Sequence, residues 1–119
     1  MSCRIERVPD YLKRTRDPDE CVILVDRLWP RGVRKEILDI DRWMKEIGPS
    51  HSLRQWFGHD RSKWEEFSRR FRNELEVDPE KSKLLQELQR YAKNQALTLL
   101  FNARDPECNQ ARVIQMLIA

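Results

Sequence analysis

Four consecutive apolar residues, Val22-Ile23-Leu24-Val25, constrain this chain more than any other segment. A strand with no polar alternation has no face to give to water, so it belongs in a parallel sheet covered on both sides by helices. Polarity then changes abruptly: Asp26 and Arg27 follow at once, and Arg31 stands just past Pro30. A second run of the same kind, Leu97-Thr98-Leu99-Leu100-Phe101, ends in Asn102, Ala103, Arg104 and Asp105. In open α/β sheets the crevice beyond the strand carboxyl ends is where ligands sit. Two core strands that each emit an arginine and an aspartate therefore point to one shared polar pocket.

The rest of the chain supplies helices to cover such a sheet. Arg4 to Val8 alternates apolar with charged residues and reads as a half-exposed strand ending at Pro9-Asp10. Ile40, Trp43, Met44 and Ile47 share one helical face behind Asp39 as N-cap, and Gly48-Pro49 stops that helix. Ser50 or Ser52 caps a short helix through Leu53, Trp56 and Phe57, closed by Gly58. A longer helix starts near Asp60 or Ser62, with Ser62 and Glu65 spaced as a capping box and Trp64, Phe67, Phe71 and Leu75 as its apolar stripe. Glu65 with Arg69, and Glu66 with Arg70, are favourable pairs four residues apart. Asp78-Pro79 opens a further helix by a cap followed by proline, and Asp105-Pro106 opens the last in the same way. The expectation is an α/β protein: a small, mostly parallel sheet covered by helices, in a single compact domain over residues 1–119.

Composition narrows the function classes. The chain has 23 basic and 20 acidic residues, a net charge of +3. That suits an anionic small molecule and is too mild to favour nucleic acid as a partner. Cys3, Cys21 and Cys108 are odd in number and scattered, which argues against disulfides and a zinc site and for a reducing, cytoplasmic setting. The amino terminus has no apolar leader segment, and no apolar run is long enough to span a membrane. No metal and no cofactor is implied.

Three stretches carry chemistry. In the first, Arg27 and Arg31 offer rigid charged forks for a carboxylate or phosphate, Asp26 orients them or moves a proton, and Trp29 presents a face to a planar ligand. The plain alternative is a strand end reaching solvent. In the second, Arg104, Asp105 and Asn109 lie at a strand end and helix start that favours anions, although Asp105 needs no role beyond capping. Cys108 in the same turn is a weak candidate nucleophile and a better small core residue. In the third, Trp56-Phe57-Gly58-His59-Asp60, His59 beside Asp60 is a candidate general base, against a reading of both as loop and cap residues. Arg69, Arg70 and Arg72 form a short basic helix face interleaved with acids.

The strings Val25-Asp26-Arg27-Leu28-Trp29-Pro30-Arg31-Gly32, Trp56-Phe57-Gly58-His59-Asp60 with Trp64-Glu65-Glu66-Phe67, and Leu99 to Glu107 resemble the YeaO-like family, domain of unknown function 488. The resemblance spans nearly the whole chain in the same order. It implies a compact α/β domain and no established activity. Relatives continue the last motif with histidine where this chain has Cys108, which weakens any mechanism that needs that histidine and keeps Asn109 as a polar contact.

The functional expectation is a pocket for an anionic or nucleotide-like small molecule at the strand carboxyl ends, with Asp26 and His59 as candidate acid/base groups. Arg27, Trp29, Arg31, Arg104, Asp105 and Asn109 are the candidate binding groups. A nucleic-acid-associated or regulatory module without catalysis is the alternative, and a non-catalytic partner-binding domain is a third. Four tryptophans leave the oligomeric state open.

Overall fold

A computed structural model describes residues 3–118. Four parallel strands form one sheet: β1 (Cys3–Arg7), β2 (Cys21–Leu24), β3 (Arg42–Trp43) and β4 (Leu97–Phe101), in the spatial order β1-β4-β2-β3. Five α-helices accompany them: α1 (Val8–Tyr11), α2 (His51–Phe57), α3 (Trp64–Val77), α4 (Pro79–Asn94) and α5 (Gln110–Ile118). β2 and β4 are direct neighbours in the centre, with Leu24 opposite Leu100. The ladder continues one residue further, because the Val25 amide donates to the Leu100 carbonyl at 3.1 Å.

The unbroken apolar character of β2 reflects this central place. Alternate side chains point to opposite faces of a strand, and here both faces are covered. Cys21, Ile23 and Val25 join Leu97, Leu99 and Phe101 in a core with Phe67, Phe71, Leu75, Leu88 and Ile114 from α3, α4 and α5. Val22, Leu24 and Leu100 face the other way, onto Val8 and Tyr11 of α1, Leu38, and the partly buried Trp29, Ile40 and Trp43. One face thus carries a full helical layer, and the other is closed mainly by a short helix and the long loop after β2.

Several expectations from the sequence are corrected. Residues 40–47 are not a helix. Asp41 accepts a hydrogen bond from the Val22 amide at 2.8 Å through its carboxylate and donates its own amide to the Val22 carbonyl at 2.9 Å, while the Met44 amide donates to Leu24. The open edge of β2 thus captures the segment as β3, and only a single 3-10 turn, Lys45–Ile47, remains. The apolar spacing that resembles a helical stripe splits instead between the two cores, Ile40 and Trp43 on one face, Met44 and Ile47 on the other.

The proposed capping box does not form. Asp60 caps a 3-10 turn by accepting from the Ser62 amide at 2.9 Å, and α3 begins at Trp64. Glu66 takes both Arg69 and Arg70, so the Glu65–Arg69 pair is replaced. The last helix starts at Gln110 rather than after Asp105. Asn109 supplies its cap, accepting from the Arg112 amide at 3.1 Å. After β1, Pro9 lies in the one-turn helix α1 instead of ending the strand in a turn.

The amino-terminal edge of the sheet is tied by a polar cluster. Glu20, buried with its side chain 4% exposed, receives both guanidinium nitrogens of Arg14 at 2.9 and 3.0 Å, the Thr98 hydroxyl at 2.7 Å and the Asp17 amide at 3.0 Å. The Arg14 hydrogen bonds hold its carboxyl at about 2, against the desolvation that opposes them. A depressed carboxyl pKa stabilises the fold above its unfolded value of 4.5, and that contribution disappears as pH falls through about 2. Glu20→Gln is therefore expected to cost about 3 kcal/mol at pH 7 and to flatten the acid limb of stability, measured by urea unfolding from pH 2 to 7. An unchanged acid limb would show that Glu20 is not the linked group.

Candidate functional site

Parallel strands send their carboxyl ends to one edge, and the loops leaving β2 and β4 meet there. The cavity between them has a volume of about 660 Å³. Asp26, Arg27, Leu28, Trp29, Pro30 and Arg31 line it from the loop after β2, and Asn102 and Ala103 from the end of β4. Pro49, Arg54, Phe57, His59 and Phe67 come from the α2–α3 side, and Gln110 from the first residue of α5.

Asp26 is the pivot of this arrangement. Its carboxylate accepts the Asn102 backbone amide at 2.7 Å on one oxygen and the Gln110 side-chain amide on the other. Its carbonyl accepts from the Trp43 indole at 2.7 Å. One residue thus links the ends of β2 and β4, the start of α5 and the edge strand β3. Burial pushes its carboxyl up to about 6, and the two donated hydrogen bonds oppose that shift without cancelling it.

Local sequence explains the opposite wall. Ser50 caps α2 by accepting from the Leu53 amide at 3.3 Å, and its own hydroxyl donates to Glu74 on α3 at 2.6 Å. Gly58 closes α2 in the left-handed region at φ +52°, and His59 follows at φ +59°. Left-handed backbone disfavours a side chain with a Cβ, so the chain accepts strain where His59 meets the rim. The rings of Phe57 and Phe67 stack at 4.1 Å and give the cavity an aromatic wall.

Not every residue suggested by the sequence meets here. Asp26, Arg27, Trp29, Arg31 and His59 line the cavity. The Trp29 ring is braced edge-on against Trp43 at 5.3 Å, and its indole N–H is taken by the Val33 carbonyl at 2.6 Å. Arg104, Asp105 and Asn109 lie outside the lining. Arg104 is exposed. Asp105 binds Arg61 at 2.7 and 3.1 Å and accepts the Glu107 and Cys108 amides, so it staples a surface turn. Asn109 is fully buried, donating to the Asp105 carbonyl at 2.9 Å while capping α5. Burial raises the Cys108 thiol pKa, the opposite of an activated nucleophile. Among the described residues, no cluster of three metal-ligating side chains occurs.

Sequence reasoning missed Arg54, Gln110 and the Phe57–Phe67 wall. Arg54 and Phe57 are three residues apart on one helix, a spacing that brings both to one face. Gln110 lies three residues past the Leu99 to Glu107 motif. Neither position announces its role in the string, because nothing local specifies which way the face turns.

The family described as the inactive DUF488-N3 subclade matches residues 2–119. The chain is 41% identical over 114 residues to the uncharacterized protein YeaO of Escherichia coli K12, covering 96% of this chain and 94% of that protein. It is 33% identical over 103 residues to the uncharacterized protein Rv3073c of Mycobacterium tuberculosis H37Rv, covering 86% and 84%. No solved structure matches.

A raised carboxyl pKa has a defined consequence. Asp26 favours folding fully below its unfolded pKa near 3.8, and that contribution is lost as pH rises through about 6. Asp26→Asn removes the titration. The stability difference between Asp26→Asn and the parent protein is therefore expected to shift in favour of the variant between pH 4 and 6.5, read from urea midpoints. A difference that is flat across this window would contradict the partly buried, titrating carboxyl.

Proposed function

Because the chain belongs to the inactive DUF488-N3 subclade, we propose that it is a binding domain for a small anionic or nucleotide-like molecule and does no chemistry on it. The observation that carries this reading is the cavity itself. It brings Arg27, Arg31 and Arg54 to an aromatic-walled hollow at the sheet's carboxyl edge, the place where α/β sheets bind ligands. None of these three arginines has a carboxylate partner among the described residues.

The same features argue for binding over turnover. Asp26 holds two elements together through both carboxylate oxygens, so its proton is tied to the integrity of the pocket. His59 is exposed, and its ring stands beside Phe57 at 6.2 Å with no carboxylate hydrogen-bonded to orient it among the described residues. A general base needs such an orienting partner or a proton donor in reach. The basic helix face offers less to a nucleic acid than its sequence suggests, because Glu66 pairs with both Arg69 and Arg70. No helix is long and apolar enough to cross a membrane among the described residues.

The test is an amide-resolved NMR titration with adenosine monophosphate, ribose 5-phosphate, and mono- and dicarboxylates. At least one class is expected to shift the backbone amides of residues 26–31, 54–59 and 102–103 together. Absence of shifts at millimolar concentration in every class, or shifts confined to α3, would overturn the reading.

A further inference from the structure

We infer that the chain pairs with a second copy of itself through the outer edge of β1, antiparallel about Ile5, as a two-fold dimer. β1 ends the strand order, and no strand lies beyond it among the described residues. Such an edge leaves main-chain donors and acceptors ready to pair with another chain. Residue parity identifies which groups these are. The Cys21 and Val25 amides donate to the Ala96 and Leu100 carbonyls, so the even-numbered positions along β4 turn their main chain toward β2. Leu97, Leu99 and Phe101 therefore serve β1. In a parallel ladder a residue bonds to the two neighbours of the one opposite it. Arg4 stands opposite Thr98 and Glu6 opposite Leu100, so these two bond inward to β4. The amide and carbonyl of Ile5 are left facing outward. So is the Cys3 carbonyl, which the Gln115 side chain of α5 covers at 2.8 Å.

A second copy fits because this edge is complementary to itself in one register. In an antiparallel pair, two outward-facing Ile5 residues exchange both of their N–H···O bonds. Arg4 of each copy then stands directly opposite Glu6 of the other. The smallest slip that keeps outward groups opposite one another is two residues, and it sets Arg4 against Arg4 or Glu6 against Glu6. Opposite charges facing across strands attract and like charges repel, so the pattern selects one alignment. Both side chains are already held on the α1 side of the sheet. Arg4 donates to the Thr98 hydroxyl at 3.2 Å with 60% of its side chain exposed, and Glu6 accepts from Arg14 at 3.0 Å. A two-fold axis normal to the sheet keeps that side common to both copies. On the other side the Ile5 side chains, partly buried against the main core, meet across the seam. The product is one continuous sheet of eight strands, four from each copy. The two cavities then lie at opposite edges of it, so the pairing does not depend on the anion-binding reading.

Sedimentation velocity of the full chain from about 20 µM to 1 mM, with backbone amide exchange by NMR over the same range, tests this. Reversible dimerisation is expected, with the Ile5 amide exchanging about 10-fold slower at the top of the range than at the bottom. The Arg4 and Glu6 amides, bonded to β4, should change little. Arg4→Glu and Glu6→Arg should each weaken self-association by about 10-fold or more, because each sets like charges opposite one another in both pairs. An equimolar mixture of the two variants should associate again, since every facing pair is then opposite in sign. Thermal unfolding of each variant checks that it is folded. Should one fail to fold, the concentration dependence of Ile5 exchange in the parent protein decides alone. A monomer at every concentration, a dimer whose Ile5 amide exchanges freely, or folded variants that remain monomeric when mixed would overturn the inference. So would folded variants that self-associate as the parent does.

Discussion

The carboxylate of Asp26 is the constraint on which the carboxyl edge of this protein depends. A carboxylate at the end of a buried strand loses much of its hydration, and the loss is offset only where donors are fixed around it. Here one donor is the Asn102 backbone amide and the other is the Gln110 side chain. The first belongs to the strand next door and the second to the helix that comes after it. Satisfying one charge thus fixes the spacing of two strand ends and the start of α5. The hollow between them is a consequence of that spacing.

The two cores on either side of the sheet make this edge rigid. α3, α4 and α5 fill one face through Phe67, Phe71, Leu88 and Ile114. The other face has only α1 and the loop after β2 to cover it, and that loop is held by tryptophans rather than by regular structure. Trp43 reaches the Asp26 carbonyl and Trp29 reaches the Val33 carbonyl, with the two rings in edge contact. An indole supplies a large apolar surface together with one directional donor, which suits the closing of a loop that has few backbone hydrogen bonds of its own. Trp29 therefore braces the pocket wall as well as lining it.

Much of this architecture was legible in the string. The apolar runs of β2 and β4, with charges directly after each, identify central parallel strands and the edge where their ends meet. The cap-and-proline start of α4 is also local: the Asp78 carboxylate takes the Glu80 and Lys81 amides as the pattern implies. Residues 40–47 escaped because their apolar spacing fits a helix equally well, and only the unpaired edge of β2 decides between them. The same limit governs the site. Asp26, Arg27, Trp29, Arg31 and His59 lie in contiguous motifs that lead to one cavity, whereas Asp105 and Asn109 carry identical polar chemistry yet are consumed by a turn and a helix cap. Whether a polar side chain is free depends on partners far away in sequence, such as Arg61 for Asp105. Arg54 was invisible for the converse reason, since nothing near it in sequence reveals that it lines the cavity.

A carboxyl edge that holds a ligand without turning it over is the reading proposed for this cavity. Its polar groups are committed to structure at Asp26 and Asn109, and its uncommitted charge is cationic. The direct measurement is the titration of the Asp26 side-chain carboxyl by carbon NMR in the free protein. A midpoint near 6 would show a carboxylate desolvated at the base of a formed pocket. A midpoint at or below 3.8 would mean that water or a nearby cation reaches it freely, and the pocket described here would not be the resting state of the molecule.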